Sequence, residues 1–305
     1  MKQASLLSIL FLALCNTFFA QNVYVKNRFE LITDIKTAKF YPVLSQFGDK
    51  LLFTGDAYIG LSIYDFNTKQ ISNISSEAGT GYEPIFDLND SKIFYRKTTF
   101  NNGRRYDAIE SYDLVKKQKQ TMITPQRDLK QAKTYQNGFV VYANKKLLKS
   151  TFGKTNSNDI IYITTEDLKI VLINNNIRKE LNPLKMDVSR YLWVNLSPNG
   201  KMILFTAAGK GTFICDLTGK IIANVGFLDA PIWYNDNFIV GMQDKDDGHR
   251  LVSSKIIMIS INNKSLFEIS LPNQIAMYPA ASQKSGRIAY NTQDGKIYIA
   301  EIEIK

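Results

Sequence analysis

Apolar strands alternate with polar turns along this chain, and several segments share one pattern: a proline, three residues, a turn, then an apolar run ending in an aromatic. Tyr41-Pro42-Val43-Leu44-Ser45 leads into Leu51-Leu52-Phe53, Glu83-Pro84-Ile85-Phe86-Asp87 into Ile93-Phe94-Tyr95, and Tyr278-Pro279-Ala280-Ala281-Ser282 into Ile288-Ala289-Tyr290. The clearest copy runs from Trp193-Val194 through Ser197-Pro198-Asn199-Gly200-Lys201 to Ile203-Leu204-Phe205, with valine in place of the first proline. A shortened copy joins Ala230-Pro231-Ile232-Trp233 to Phe238-Ile239-Val240. The offset from Ser45 to Phe53 recurs from Asp87 to Tyr95, Ser197 to Phe205 and Ser282 to Tyr290, which chance does not readily produce.

Each copy continues into a third strand that closes on an aspartate and a turn, as in Ile63-Tyr64-Asp65, Ser111-Tyr112-Asp113 and Ile214-Cys215-Asp216. An aspartate there can accept from turn amides, so these three read as structural. Short fourth strands such as Gln70–Ile74 complete a four-stranded unit. If Pro42 to Pro279 spans five unit intervals, each averages about 47 residues, the size of a propeller blade. The expectation is therefore an all-β, six-bladed propeller of four-stranded blades, with almost no helix. The stretch from Lys133 to Pro183 is assigned to the most degenerate blade. The last blade ends on a third strand, Lys296–Glu301, and an N-terminal strand, Arg28–Thr33, is expected to supply its fourth and close the ring.

The unit carried best by Val194 to Phe205 resembles the repeat of the TolB-like, WD-repeat-like β-propeller family, and the likeness covers most of the chain. That resemblance implies a propeller and says little about function, because such repeats serve scaffolds, ligand binders and enzyme gates. The residues outside the repeats are not expected to form the N-terminal α/β domain of TolB or a hydrolase domain.

Ahead of them, Lys2 precedes an apolar run from Leu6 to Leu14 too short for a stable membrane anchor, and Ala20 precedes polar Gln21-Asn22. Residues 1–20 are thus expected to be a signal peptide and residues 21–305 one propeller domain, periplasmic or secreted, with no transmembrane segment. Lipidation at Cys15 is the competing reading, disfavoured because Leu14 stands where such signals want a small residue. Cys215 is then the sole remaining cysteine, so the core holds the fold without a disulfide. The net charge of +10 admits anionic partners, but the lysines and arginines are scattered and no nucleic-acid-binding motif occurs.

Candidate chemistry is sparse. There is no Gly-x-Ser-x-Gly elbow, and the single histidine, His249, sits in the polar stretch Asp244–Arg250. That stretch offers three acids and a glycine but lacks the later bidentate glutamate of a calcium loop, so it reads as a hairpin turn. No catalytic residues, metal ligands or cofactor are assigned. The residue before each repeat proline marks the mouth of the central shaft: Tyr41, Glu83, Trp193, Ala230 and Tyr278. Three aromatics and one acid around an axis suit stacking on a sugar or peptide, although rings packed between blades would give the same pattern. The leading expectation is a monomeric, non-catalytic binding or scaffolding module of a bacterial envelope, engaging a protein or glycan at the mouth. A polysaccharide lyase or glycosidase with its site in the shaft is the alternative, and a purely structural envelope component the third.

Overall fold

The computed structural model describes residues 21–31, 38–135, 138–151, 160–174, 177–188 and 190–305. The expected signal peptide, Cys15, Ile32 and Thr33 lie outside them. Strand β1 (Val23–Glu30) comes first. Blade 1 follows, made of β2 (Phe40–Leu44), β3 (Lys50–Thr54), β4 (Leu61–Asp65) and β5 (Gln70–Ser75). Blade 2 holds β6 (Ile85–Phe86), β7 (Lys92–Asn101), β8 (Arg104–Asp113) and β9 (Gln118–Gln126). Blade 3 has β10 (Lys133–Tyr135), β11 (Gly138–Ala143) and β12 (Lys146–Thr151), and blade 4 has β13 (Ile161–Glu166), β14 (Lys169–Asn174) and β15 (Ile177–Leu181). Blade 5 comprises β16 (Tyr191–Leu196), β17 (Met202–Ala207), β18 (Gly211–Asp216) and β19 (Ile221–Asn224). Blade 6 comprises β20 (Asp229–Trp233), β21 (Phe238–Asp246), β22 (Leu251–Ser260) and β23 (Leu266–Glu268). Blade 7 is β24 (Ala276–Ser282), β25 (Arg287–Thr292) and β26 (Ile297–Ile304), with β1 as its fourth strand.

The propeller therefore has seven blades, not six. Five sheets carry four strands and two carry three among the described residues. The stretch from Lys133 to Pro183, assigned to one blade, forms two sheets, β10–β12 and β13–β15. The first strands of blades 3, 4 and 5 begin at Lys133, Ile161 and Tyr191, intervals of 28 and 30 residues, whereas blades 1 and 2 begin 45 apart, at Phe40 and Ile85. Two short blades in one long interval made the average spacing too large and the count one too few.

Burial follows from the radial stacking. Among the described residues seven separate apolar clusters fill the seven interblade gaps: Leu52, Ile63, Ile93 and Tyr95 lie between blades 1 and 2, and Val140, Tyr142, Tyr162 and Val171 between blades 3 and 4. Successive side chains of one strand serve opposite gaps, so Leu51 packs toward blade 7 and Leu52 toward blade 2. Sandwiched strands need both faces apolar, which is why Ile203-Leu204-Phe205 is a continuous apolar run with every residue fully buried. Cys215 is one of these packing residues, and burial pushes its thiol up to about 12.

Closure comes from β1 pairing antiparallel with β26, Arg28 opposite Ala300 and Glu30 opposite Tyr298. The N-terminal strand thus does close the ring, and it begins earlier than expected, at Val23. The one helical element among the described residues is a 3-10 turn at Asp56–Tyr58.

The turn aspartates behave as their spacing implies. Asp65 Oδ1 accepts from the amides of Asn67 (2.8 Å) and Thr68 (3.0 Å), Asp113 Oδ1 from Val115 and Lys116, and Asp216 Oδ1 from Thr218 and Lys220.

Candidate functional site

Tyr41, Glu83, Trp193, Ala230 and Tyr278 share one backbone feature. Each has a positive φ, at 52°, 53°, 47°, 45° and 51° respectively. None is glycine, so each left-handed residue costs roughly 1–2 kcal/mol of steric strain. In blades 1, 5, 6 and 7 the residue lies within a bulge where strand register shifts: between Phe40 and Val43, Leu192 and Asn195, Asp229 and Ile232, and Met277 and Ala280. A bulge re-aims one side chain out of the alternation. The amide freed by the bulge finds a partner in the preceding blade: Tyr41 N donates to Asn291 Oδ1 (3.1 Å), and Tyr278 N to Met242 Sδ (3.3 Å).

The rings from blades 7 and 1 meet. Tyr278 and Tyr41 have centroids 4.6 Å apart, Tyr41 stacks on Tyr58 at 4.3 Å, and Tyr58 meets Tyr82 edge to face at 5.1 Å. The Arg96 guanidinium lies over the Tyr82 ring at 5.4 Å and ends the arc. These tyrosines are half-buried, with one side in solvent. Burial pushes the Tyr41 hydroxyl up to about 12, helped by its hydrogen bond with Tyr58, and burial likewise raises Tyr58 and Tyr278. The hydroxyls therefore stay protonated in the neutral range and can donate to a ligand.

Tyr58 and Tyr82 were not legible as site residues. Tyr58 lies in the loop from β3 to β4, and Tyr82 immediately precedes Glu83. In an antiparallel blade the second turn opens on the face where the first strand starts, so this loop necessarily sits beside Tyr41. Trp193 is 39% exposed and makes no ring contact with the arc among the described residues. Ala230 packs against the apolar cluster between blades 6 and 7.

Charged groups flank the arc at both ends. Burial raises the Glu83 carboxyl, opposed by Lys133 and Arg96, and burial lowers the Lys133 ammonium, opposed by Glu83. Arg96 is committed elsewhere: it is 6% exposed, pairs with Asp107 at 2.9 Å and donates to the carbonyl oxygen of Leu129 at 2.9 Å. At the other end, Asp244 stands two positions beyond Met242, the strand partner of Asp229, so the two carboxyls are neighbours on one face of blade 6, and their charges act on Tyr278. Desolvation, then the charge of Asp244, raises Asp229 to about 6. Asp244 was read as part of a turn, but it belongs to the mouth. The turn itself is closed by Asp246 Oδ1 accepting from Gly248 N and Asp247 Oδ1 from His249 N and Arg250 N. Among the described residues no group of three or more His, Cys, Asp or Glu side chains stands together as metal ligands would.

No protein-family model matches the chain, and no curated protein matches it. Solved structures do. An oligogalacturonate lyase from Vibrio parahaemolyticus superposes with a TM-score of 0.59 at 13% identity, over 92% of this chain and 96% of that one. The propeller domain of the trilobed protease from Pyrococcus furiosus gives 0.59 at 9% identity, over 90% and 96%. TolB from Acinetobacter baumannii gives 0.52 at 16% identity, over 82% of this chain and 58% of that protein. At these identities the likeness establishes the β-propeller fold alone. Among the described residues no helix is long and apolar enough to cross a membrane.

Proposed function

We propose that this chain is a TolB-like, non-catalytic binding propeller of the bacterial envelope, exported by residues 1–20, that captures a protein or glycan at the shaft mouth. The tyrosine arc from Tyr278 through Tyr41 and Tyr58 to Tyr82 carries this reading. It is a preorganised aromatic surface on backbone held in strained conformations, and strain of that kind persists where surrounding structure over-determines it, often at ligand clamps. Rings with one face packed and one wet suit stacking plus hydrogen bonding from the hydroxyls.

The glycosidase alternative has one observation in its favour, the Asp229–Asp244 pair with one carboxyl raised to about 6. Their placement counts against it. Paired glycosidase carboxylates flank the scissile bond, whereas Asp229 and Asp244 come from neighbouring strands of one blade, Asp244 two positions beyond the partner of Asp229.

The test is capture from native envelope together with a glycan array, using the intact chain and Tyr41→Ala. The variant is expected to lose about 1–3 kcal/mol of capture, in the range of an aromatic hot spot. Unchanged capture with a large loss of stability would assign the arc to packing.

A further inference from the structure

The face around the shaft mouth has more on it than the arc. Two hairpins overhang it: β7–β8, paired out to Asn101 and Arg104, and β21–β22, paired out to Asp246 and Leu251. Their strands run nine or ten residues, whereas β3 and β4 have five. They belong to blades 2 and 6, so they stand on either side of the arc in blades 7 and 1. Apolar side chains are exposed on the same face: Ile59 in the blade 1 loop, Phe100 (70% exposed) at the end of β7 and Phe227 (68% exposed) before β20.

The charge on this face is uneven. The blade 2 hairpin ends in Arg104 and Arg105, while the blade 6 side presents Asp229, Asp244 and Asp246. Asp229 and Asp244, neighbours on one face of β20 and β21, are half-buried, yet among the described residues neither takes part in an ion pair or accepts from a backbone or side-chain donor. The nearby cations are turned or committed elsewhere. Lys245 falls on the opposite face of β21 by strand alternation, and Arg250 pairs with Asp247 at 3.5 Å. Half-buried carboxylates away from the mouth include Asp49, Glu166 and Glu301, which pair with Lys50, Arg178 and Arg287, and at the far end of the arc the charges of Lys133 and Arg96 oppose the burial of Glu83. In a chain of net charge +10, two desolvated acids without a cation are a conspicuous gap.

We infer that this face docks a polypeptide segment carrying lysine or arginine, whose cationic side chain seats against Asp229 and Asp244 while its neighbours lie on Tyr278 and Tyr41. The inference rests on the binding reading above and narrows it. A cation supplies the charge-assisted hydrogen bonds that the pair lacks, and the electron-rich faces of the tyrosines favour the same charge. The exposed apolar side chains provide the remaining contact area that a peptide needs, and the basic tip of the blade 2 hairpin sets the direction in which the segment lies. A polyanionic saccharide would instead bring like charge against the blade 6 side.

Three pools of labelled decapeptides test this, matched in apolar content and carrying lysine and arginine, neutral polar residues, or glutamate and aspartate, with oligogalacturonate as a fourth probe. At a pH of about 7.5 the cationic pool is expected to bind about tenfold better than the neutral one, as one charge-assisted contact allows. The double variant Asp229→Asn with Asp244→Asn is expected to bind the two equally, and Asp244→Asn alone to lose several-fold. Both substitutions relieve like-charge repulsion, so a thermal midpoint at or above that of the parent confirms that the fold is retained. The inference is overturned if the double variant keeps the cationic preference, or if the acidic pool or oligogalacturonate binds best. Tyr41→Ala separates the two levels: if it weakens all pools while the Asn pair changes nothing, only the charge assignment fails. If neither variant alters retention, or no probe binds, the mouth reading fails with it.

Discussion

At the residue scale, the consequential choice is a non-glycine side chain on left-handed backbone in five blades, with bulky Tyr41, Trp193 and Tyr278 among them. Glycine would relieve the strain but place nothing at the mouth. Trp193 differs from the tyrosines in standing apart from the arc and being 39% exposed. Trp193→Ala is therefore expected to lower stability by less than about 1.5 kcal/mol, well short of the ~3–5 kcal/mol for deleting a buried aromatic, as a urea melt would show. Asp229 gives a pH signature. Its carboxyl titrates near 6 in the folded chain, above its ordinary value of 3.8, so the folded state holds the proton more tightly. Its contribution to stability is thus fully present below pH 3.8 and lost as pH rises through 6. The groups facing it, Asp244 and Asp246 from β21, act in the same direction, and Tyr278 stays neutral there. Asp229→Asn should flatten this part of the stability-versus-pH curve and raise stability at neutral pH, measured by urea denaturation at a series of pH values.

At the element scale, the face opposite the mouth is held by turns that satisfy one another across blades. Buried Asp90, in the first turn of blade 2, accepts from the amides of Gln46 (2.9 Å) and Phe47 (2.8 Å) in blade 1, and Ser282 of blade 7 donates to the Gln46 carbonyl oxygen (2.8 Å). Within a blade, Ser197 Oγ accepts from Met202 N (2.9 Å), which explains a fixed distance from that serine to Phe205. Asp90→Ala strands two amides and should cost about 2–4 kcal/mol, whereas Asp90→Asn, which keeps one acceptor oxygen, should cost clearly less. Chemical denaturation of the two variants checks the order.

At the scale of the whole molecule, the ring is closed by one strand pair, β1 on β26, and Arg28 ties the closing strand to blade 6 by donating to the carbonyl oxygens of Ile269 (2.6 Å) and Glu268 (3.0 Å). Without β1 the edge of β26 is open and blade 7 is left with three strands. Deleting residues 21–30 is expected to reduce cooperativity of unfolding and to promote self-association through the bare edge. Calorimetry and size-exclusion chromatography read the two effects, and a monomer melting like the parent would show that the other blades hold the ring.

Local chemistry was enough to read strands, turns and the repeat positions, because the information for each lies within ten residues. Asp65 must cap its own turn, Ile203-Leu204-Phe205 must be covered on both faces, and the residue before the repeat proline must fall at one height in every blade that keeps the pattern. The closing strand was also legible, since a last blade ending on its third strand needs a fourth from elsewhere. The blade count was not, because blades 3 and 4 lack the repeat proline, and an average over their interval hides two short units in the length of one. The arc was legible by half: Tyr41 and Tyr278 carry the repeat register, while Tyr58 and Tyr82 sit in loops that carry none. The meeting of Asp229 with Asp244 was invisible in the chain, since they are fifteen positions apart in sequence and only the pairing of β20 with β21, against β24, brings both carboxyls to Tyr278. Periodicity determines which residues are strands and which positions are equivalent; how many blades complete the circle, and which side chains from different blades then face one another, is decided by closure of the ring, a condition on the whole chain that no local segment contains.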